Sequence, residues 1–286
     1  MEVNFYKYHG LGNDYLVYDC RQNSIYLDEK AIKVICDRNF GLGSDGILVG
    51  PIYSEQGIGV KIYNPDGSEA EKSGNGVRIF AKYLKDAGYV KENAFSLHTS
   101  GGNVSIQYNN DMGTNMTVSM GRLFFDADSV GCINTPEMTV DIPLCFGDKT
   151  YQCTCVSIGN PHCVIPMKEV SKETVCDIGK YSECAEYFPN RINTQIVKIL
   201  DRNNIQIEIY ERGAGYTLAS GSSSCAAAGA AYRLGLVDSD INVHMPGGNL
   251  QIHIDKNWNV MMTGTVSPVG KMILSEEFIR ENSIYN

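Results

Sequence analysis

Two serine-glycine pairs stand where a polar segment turns into a run with helical spacing. The first is Ser73-Gly74 in "EKSGNGVRIFAKYL", and the second is Ser220-Gly221 in "SGSSSCAAAGAAYRLG". A helix start carries unpaired backbone N–H groups and the positive end of the helix dipole, so it can hold an anion. Serine is also a common N-cap, and one isolated pair would favour that purely structural role.

The two pairs belong to an internal repeat. Ser73 and Ser220 are 147 positions apart, and so are Asn13 in "LGNDYLVY" and Asn160 in "IGNPHCVI". The same offset relates "KIYNPDG", which contains Asn64, to "EIYERGA", where Glu211 occupies the matching position. Short polar words recur by chance, but three matches at one offset near half the chain length indicate a tandem duplication.

Each half contains the same kinds of secondary structure. Runs such as "GVKIYN" and "NIQIEIYE" alternate polar and apolar residues, as half-exposed strands do. Apolar residues at 77, 80, 81 and 84 predict a helix in the first half, and the alanine-rich run after Ser220 predicts one in the second. We therefore predict an α/β (α+β) fold of two pseudo-symmetric domains, each with strands wrapped around a central helix.

The repeat also predicts where the domains lie. The first should cover residues 1–120, with a C-terminal tail of about 270–286 returning to it, and the second should cover residues 121–269. A helix as rich in alanine as the second one needs a close neighbour, and its own duplicate is the natural candidate. That pairing would bring the two helix starts into one cleft.

This arrangement predicts a particular chemistry. A carboxylate bound at both helix starts would place its α-carbon between the hydroxyls of Ser73 and Ser220. One hydroxyl on each face of a carbon suits the removal of a proton from one side and its return from the other. The reaction class is racemisation or epimerisation.

The bulk composition is consistent with a small-molecule enzyme. A net charge of −9 argues against nucleic acid and anionic membranes as partners. Because we find neither a signal peptide nor an apolar stretch approaching about 20 residues, we expect a cytoplasmic protein. Ten cysteines without a C-x-x-C motif predict reduced thiols and no metal site.

The motifs resemble those of diaminopimelate epimerase along nearly the whole chain. They are "YHGLGNDYLVYD", "GLGSDG", "NPDGSEAEKSGNG", "IGNPH", "ERGAGYTLASG" and "MPGGNL". The resemblance implies an isomerase of lysine biosynthesis that uses no pyridoxal phosphate, other cofactor or metal. It also implies an active site between two domains, an amino-acid substrate and a homodimer.

Residue roles follow from the same resemblance. The catalytic acid/base positions match Ser73 and Ser220, and His162 and Glu211 match residues beside them. Four residues match those that hold the distal end of diaminopimelate: Asn64, Asn160, Asn193 and Arg212. Asn13 matches another pocket residue, and the groups expected to bind the reacting carboxylate are the backbone N–H groups of Gly74, Asn75, Gly221 and Ser222.

Three positions depart from the family pattern. The family has cysteine at both acid/base positions, whereas this chain has serine, whose hydroxyl needs an adjacent base. Tyr216 stands where the family usually has glutamate. Gly46 lies at or beside a position where some members carry a glutamine that contacts substrate.

These departures leave several functions open. The protein could be an active diaminopimelate epimerase, or a racemase of histidine or another amino acid, for which Tyr216 could contact an aromatic substrate. It could also be a silent amino-acid-binding homologue or an engineered Cys-to-Ser variant. The retained asparagines and Arg212 favour diaminopimelate.

Overall fold

The computed structural model describes residues 2–71 and 73–284. The chain divides into two compact units, one of Met1–Val118 with Gly264–Asn286 and one of Ser119–Thr263. The repeat predicts boundaries at 120/121 and near 270, and the division falls at 118/119 and 263/264. Residues 285 and 286 of the expected returning tail lie outside the described residues.

Among the described residues, the first unit is built from strands with three helices. Its elements in chain order are β1 (Val3–Gly10), β2 (Asn13–Asp19), α1 (Glu29–Cys36), β3 (Ile47–Ser54), β4 (Gly57–Tyr63), β5 (Glu69–Ala70), α2 (Gly74–Asp86), β6 (Ala94–Thr99), β7 (Gly102–Tyr108) and β8 (Asn115–Arg122), which runs past residue 118. The C-terminal segment adds β18 (Ser267–Leu274) and α6 (Glu276–Glu281). Strand β18 pairs antiparallel with β1, from Val3 opposite Leu274 to His9 opposite Ser267.

The second unit has a similar composition of elements. In chain order they are α3 (Ala127–Val130), β9 (Ile142–Phe146), β10 (Lys149–Ser157), β11 (Pro161–Pro166), α4 (Lys172–Ser182), β12 (Asn193–Asp201), β13 (Asn204–Glu211), β14 (Gly215–Thr217), α5 (Gly221–Arg233), β15 (Asp240–Met245), β16 (Gly248–Ile254) and β17 (Asn259–Thr265). Helices α2 and α5 both have 13 residues and start at matching positions of the repeat.

The two units share one strand topology. In the first, β2 pairs parallel with β3 and β4 pairs parallel with β6. In the second, β11 pairs parallel with β12 and β13 pairs parallel with β15. Parallel neighbours need a crossover connection, and a helix supplies it in each case: α1 and α2 in the first unit, α4 and α5 in the second. This repetition confirms the predicted α+β fold with a central helix in each half.

Burial explains the composition of the two central helices. In α2, the predicted apolar stripe of Val77, Phe80, Ala81 and Leu84 is fully buried. In α5, the run from Cys225 to Ala230 is buried against strands of its own unit. A Cβ on Gly229 would lie 2.5 Å from Cδ1 of Leu123, so a larger side chain there would collide with that leucine. The small residues therefore already have close neighbours within the unit.

Candidate active site

In the first unit, Ser73 caps helix α2. Its backbone is extended, with φ −137° and ψ 119°, and its Oγ accepts a hydrogen bond from the N–H of Gly76 at 3.0 Å. Gly74 and Asn75 follow in the first helical turn and are buried. Because the segment Gly74–Val77 carries no carboxylate, the positive end of the helix is not neutralised by its own turn. The cap role and an anion-binding role are both compatible with this geometry.

A tyrosine that we did not anticipate lies against this serine. The hydroxyl of Tyr15 is 3.3 Å from Oγ of Ser73, and either group can be the donor. Tyr15 stands two positions after Asn13 in "LGNDYLVY", inside the motif that carries the repeat. Its place in the motif was the only sign in the sequence that Tyr15 belongs to the site. Strand periodicity does not show which hydroxyl faces a helix start 58 residues later.

Asn13 and Asn75 belong to one directed chain of hydrogen bonds. Buried Arg78 donates from Nη2 to Oδ1 of Asn75 at 2.7 Å. Nδ2 of Asn75 donates to Oδ1 of Asn13 at 3.0 Å, and Nδ2 of Asn13 donates to Oδ2 of Asp45 at 2.9 Å. Since a guanidinium only donates and a carboxylate only accepts, the two ends fix the orientation of both amides. Arg38 holds Oδ1 of Asp45 at 2.6 Å.

We expect Asp45→Ala to lower the free energy of unfolding by about 1–2 kcal/mol, because it leaves the amide of Asn13 and the N–H of Asp14 without their acceptor. Urea denaturation followed by circular dichroism would measure the change. Asp111→Ala, which removes a carboxylate from an exposed turn, is the matched control and should stay within about 0.5 kcal/mol of the wild type. Equal changes in the free energy of unfolding for the two substitutions would show that Asp45 does not hold the hydrogen bonds of Asn13 and Asp14 in place.

Asn64 lies at the end of β4 and begins a tight turn. Its N–H donates to the carbonyl of Ser68 at 2.9 Å, and its Nδ2 donates to Oγ of Ser68 at 3.0 Å. The side chain therefore stabilises the turn, a role that asparagine often takes. Its expected contact with substrate stays a prediction.

In the second unit, Ser220 caps helix α5 in the same way. Its φ is −143° and its ψ is 129°, and its Oγ accepts from the N–H of Ser223 at 3.4 Å. The carbonyl of Ser220 accepts a bond from the hydroxyl of Ser224 at 2.8 Å. Gly221 is buried and Ser222 is half-buried. The two serines thus hold equivalent places at equivalent helices.

His162 is fully buried between two amide side chains. Its Nδ1 is 3.2 Å from Oε1 of Gln195, and its Nε2 is 3.0 Å from Oδ1 of Asn160. Asn160 in turn donates to Oγ of Ser222 at 3.4 Å. Burial lowers the pKa of His162 to about 3, against a smaller opposing effect of the bond to Gln195, and the positive charge of Arg212 lowers it further. The ring is therefore neutral at ordinary pH and carries a single N–H, which on Nε2 donates to Oδ1 of Asn160 and orients that side chain.

The depressed pKa has a consequence for stability. The unfolded chain takes up a proton on His162 below its ordinary pKa of about 6.5, whereas the folded protein does not until about pH 3. Stability is therefore lost as the pH falls through this window, by about 2 kcal/mol between pH 7.5 and pH 5. Urea titrations at several pH values should show this loss in the wild type and a flatter profile in His162→Gln. Parallel profiles would mean that the buried ring accepts a proton in the folded state.

Asn193 fixes the backbone before the arginine. Its Nδ2 donates to the carbonyl of Pro161 at 2.8 Å, and its Oδ1 accepts from the N–H of Arg212 at 3.1 Å. Next to it, Oε2 of Glu211 accepts a hydrogen bond from Oγ1 of Thr217 at 3.2 Å. The exposed side chain of Arg212 donates from Nη1 to the carbonyl of Asn190 at 3.1 Å. The contact with a neutral carbonyl leaves the charge of Arg212 available to an anion.

Tyr216 is committed to its own unit. Its hydroxyl donates to Oε2 of Glu208 at 2.9 Å, and Nζ of Lys172 lies 4.7 Å from its ring centre. Burial and the Glu208 carboxylate raise its pKa to about 12. Its ring also packs against the apolar core of the unit. These contacts weaken the expectation that Tyr216 serves an aromatic substrate.

The predicted site residues thus form two groups. In the first unit, Gly74 and Asn75 follow Ser73 in the helix and Asn13 is bonded to Asn75, with Asn64 in a separate turn. In the second unit, Asn160, His162 and Ser222 form one connected set, and Asn193 holds the backbone of Arg212. The ring nitrogens of His162 face amides. The help that His162 or Glu211 would give to a serine stays a prediction.

Comparison with known proteins identifies relatives over the whole chain. The family model for diaminopimelate epimerase matches residues 5–125 and 154–269. The chain is 46% identical over 285 residues to diaminopimelate epimerase 2 of a Nostoc species, covering 99% of this chain and 100% of that one. It is 37% identical over 274 residues to diaminopimelate epimerase of a Synechocystis species, covering 94% and 98% of the two chains.

Solved structures with low sequence identity share the fold. One is a PhzF-family phenazine biosynthesis protein from Enterococcus faecalis, with a TM-score of 0.66 and 14% identity over 96% of this chain and 100% of that one. Another is a hydroxyproline epimerase from Agrobacterium vitis, with a TM-score of 0.67 and 11% identity over 96% and 91% of the two chains. The fold is thus shared by proteins with different activities in their names, whereas the matches at high sequence identity are to diaminopimelate epimerases. The chain belongs to the diaminopimelate epimerase family.

Proposed function

We propose that this protein is an epimerase of diaminopimelate that works without a cofactor. Ser73 and Ser220 are the acid/base pair: one takes the α-proton and the other supplies a proton to the opposite face. The observation that carries the proposal is the equivalent placing of the two serines, each as the cap of a 13-residue crossover helix. The sequence relation to two diaminopimelate epimerases over more than nine-tenths of the chain supports the choice of substrate.

Backbone N–H groups stabilise the charge that develops during proton removal. Taking the α-proton from an amino acid leaves negative charge that spreads onto its carboxylate. The first-turn N–H groups of Gly74, Asn75, Gly221 and Ser222 have no partner within their helices at an α-helix start, so they bind that carboxylate. Asn13 is held beside Asn75 and completes the polar surroundings of the reacting end.

The distal end of the substrate requires a second set of groups. Diaminopimelate carries a further carboxylate and amino group, and Arg212 can bind a carboxylate through two parallel bonds. Asn64, Asn160 and Asn193 supply amide groups, of which Asn160 is oriented by His162 and Asn193 fixes the backbone of Arg212. Glu211 is the helper for one serine in this proposal, and His162 acts by holding Asn160.

The experiment is α-proton exchange in deuterated water, followed by NMR with diaminopimelate and with histidine in separate samples. Exchange with diaminopimelate that is lost for one stereoisomer in Ser73→Ala and for the opposite stereoisomer in Ser220→Ala supports the proposal. Ser171→Ala is the matched control, because Ser171 also caps a helix, accepting from the N–H of Thr174 at 3.2 Å in α4. It should leave the exchange rate unchanged.

The other outcomes assign the protein differently. Exchange with histidine alone would make it a histidine racemase of the same fold. Binding without exchange of either amino acid would leave a silent amino-acid-binding homologue. The cytoplasmic location and the homodimer stay predictions; among the described residues, no helix is both long and apolar enough to cross a bilayer.

A further inference from the structure

Tyr15 is buried with its hydroxyl directed at Ser73. Only 6% of the residue is exposed, and the two oxygens are 3.3 Å apart. Oγ of Ser73 also accepts the N–H of Gly76, which leaves its own proton and a second lone pair for other partners. The hydroxyl pair is therefore one in which a proton can pass in either direction.

The neighbouring loop is shaped to hold this tyrosine. Gly46 has a φ of +156°, and a Cβ built on it would lie 2.7 Å from Cε1 of the Tyr15 ring and would also collide with the carbonyl of Tyr63. Two backbone hydrogen bonds hold this loop against β2. The N–H of Leu16 donates to the carbonyl of Gly46, and the N–H of Asp45 donates to the carbonyl of Asp14. A side chain at 46 would have to displace the carbonyl of Tyr63 or the Tyr15 ring. The loop at Gly46 is thus packed directly against the tyrosine beside Ser73.

Chemistry gives the pair a function. A serine alcohol is a poor base, whereas an ordinary phenol has a pKa of about 10 and ionises far more readily. We propose that Tyr15 exchanges protons with the substrate through Ser73, an inference that rests on the proposed epimerase function. Tyr15 is in this sense a positioning and relay residue, because Ser73 and not Tyr15 meets the α-carbon.

The proton balance closes in both directions. When the α-proton leaves, the C–H bond breaks, Oγ of Ser73 gains that proton and passes its own to Tyr15, which enters this half-reaction as the phenolate left by the preceding proton return. When a proton returns, the Tyr15 hydroxyl gives its proton to Ser73, and Ser73 gives one to the carbanion. Ser73 is unchanged after each transfer, and the electron pair of the broken C–H bond stays on the substrate.

The test uses α-proton exchange from each stereoisomer separately. In one stereoisomer the α-proton faces residue 73, and in the other it faces residue 220. Ser73→Ala should abolish exchange without inversion of the α-proton in the first isomer and leave the exchange in the second isomer intact. Tyr15→Phe should slow exchange of the first isomer by roughly 10²-fold, within the range for general acid–base groups, with the KM little changed. Tyr18→Phe is the matched control: Tyr18 is buried on the same strand, but its hydroxyl donates to the carbonyl of Ile25 at 2.6 Å.

A thiol background separates a relay from a structural contact. In Ser73→Cys, which needs no relay because the thiol ionises by itself, adding Tyr15→Phe should change the rate less than about threefold. Activity of that double variant also shows that the phenylalanine is tolerated by the fold. Equal losses in the serine and cysteine backgrounds, or an effect on both isomers alike, would overturn the relay while leaving the epimerase intact. Absence of any exchange by the wild type would overturn both.

Discussion

Replacing Ser73 and Ser220 together with cysteine should raise the turnover number for epimerisation by roughly 10²-fold or more. A free thiol has a pKa of about 8.5, and a position at a helix N-terminus lowers it further. Both positions are N-caps of α2 and α5, so both thiols would lie at the positive end of a helix dipole. The hydroxyls gain little from the same dipoles, because a serine alcohol stays protonated.

The measurement is the steady-state rate of isomer interconversion, with the KM determined alongside. The gain should appear in the turnover number, because the groups proposed to bind the carboxylate are backbone N–H groups that the substitution leaves in place. Ser171→Cys places a thiol at another helix cap of the second unit and should leave the rate unaltered. A double-cysteine protein slower than the wild type would refute the assignment of the two serines as the acid/base pair.

The two central helices and several strands of this protein could be predicted because their signals are local. Helix α2 begins at Gly74, as the serine cap and the apolar spacing predicted, and α5 repeats it 147 positions later. Caps and periodicity act within a few residues of the positions they specify, and the repeat offset transfers the same signals to the second half.

The polar contacts of the candidate site could not be predicted in this way. The contact of Tyr15 with Ser73 joins residues 58 positions apart. The contact of Asn13 with Asn75 joins residues 62 apart, and the orientation of both amides depends on buried Arg78 and on Asp45. Such contacts are set by how elements pack, which no periodicity reports.

His162 illustrates the difference. The repeat and its motif indicated a functional histidine, but they did not report its burial. The fully buried ring lies between the amides of Gln195 and Asn160, where desolvation lowers its pKa to about 3. A motif specifies a residue type, whereas the surroundings decide its protonation state.

Arg212→Ala should weaken the binding of diaminopimelate by about 2–4 kcal/mol, or roughly 30-fold to 1,000-fold in Kd. The substitution removes the cation proposed for the distal carboxylate, whereas the backbone N–H that Asn193 binds is kept. Arg212→Lys should recover only part of the affinity, because an ammonium group cannot form two parallel bonds to a carboxylate.

Calorimetry on the wild type and the variants measures these affinities directly. Arg191→Ala is the control: Arg191 is an exposed arginine of the same unit whose Nη1 lies 3.2 Å from Oε1 of Glu183, and its loss should change the Kd less than threefold. A monocarboxylic amino acid lacks the distal carboxylate, so its affinity should be equal in the wild type and Arg212→Ala. Histidine could instead bind more tightly than diaminopimelate, with an unchanged Kd in Arg212→Ala. That result would assign the pocket to a smaller aromatic amino acid. The retained asparagines and Arg212 would then stabilise the fold and not select the substrate.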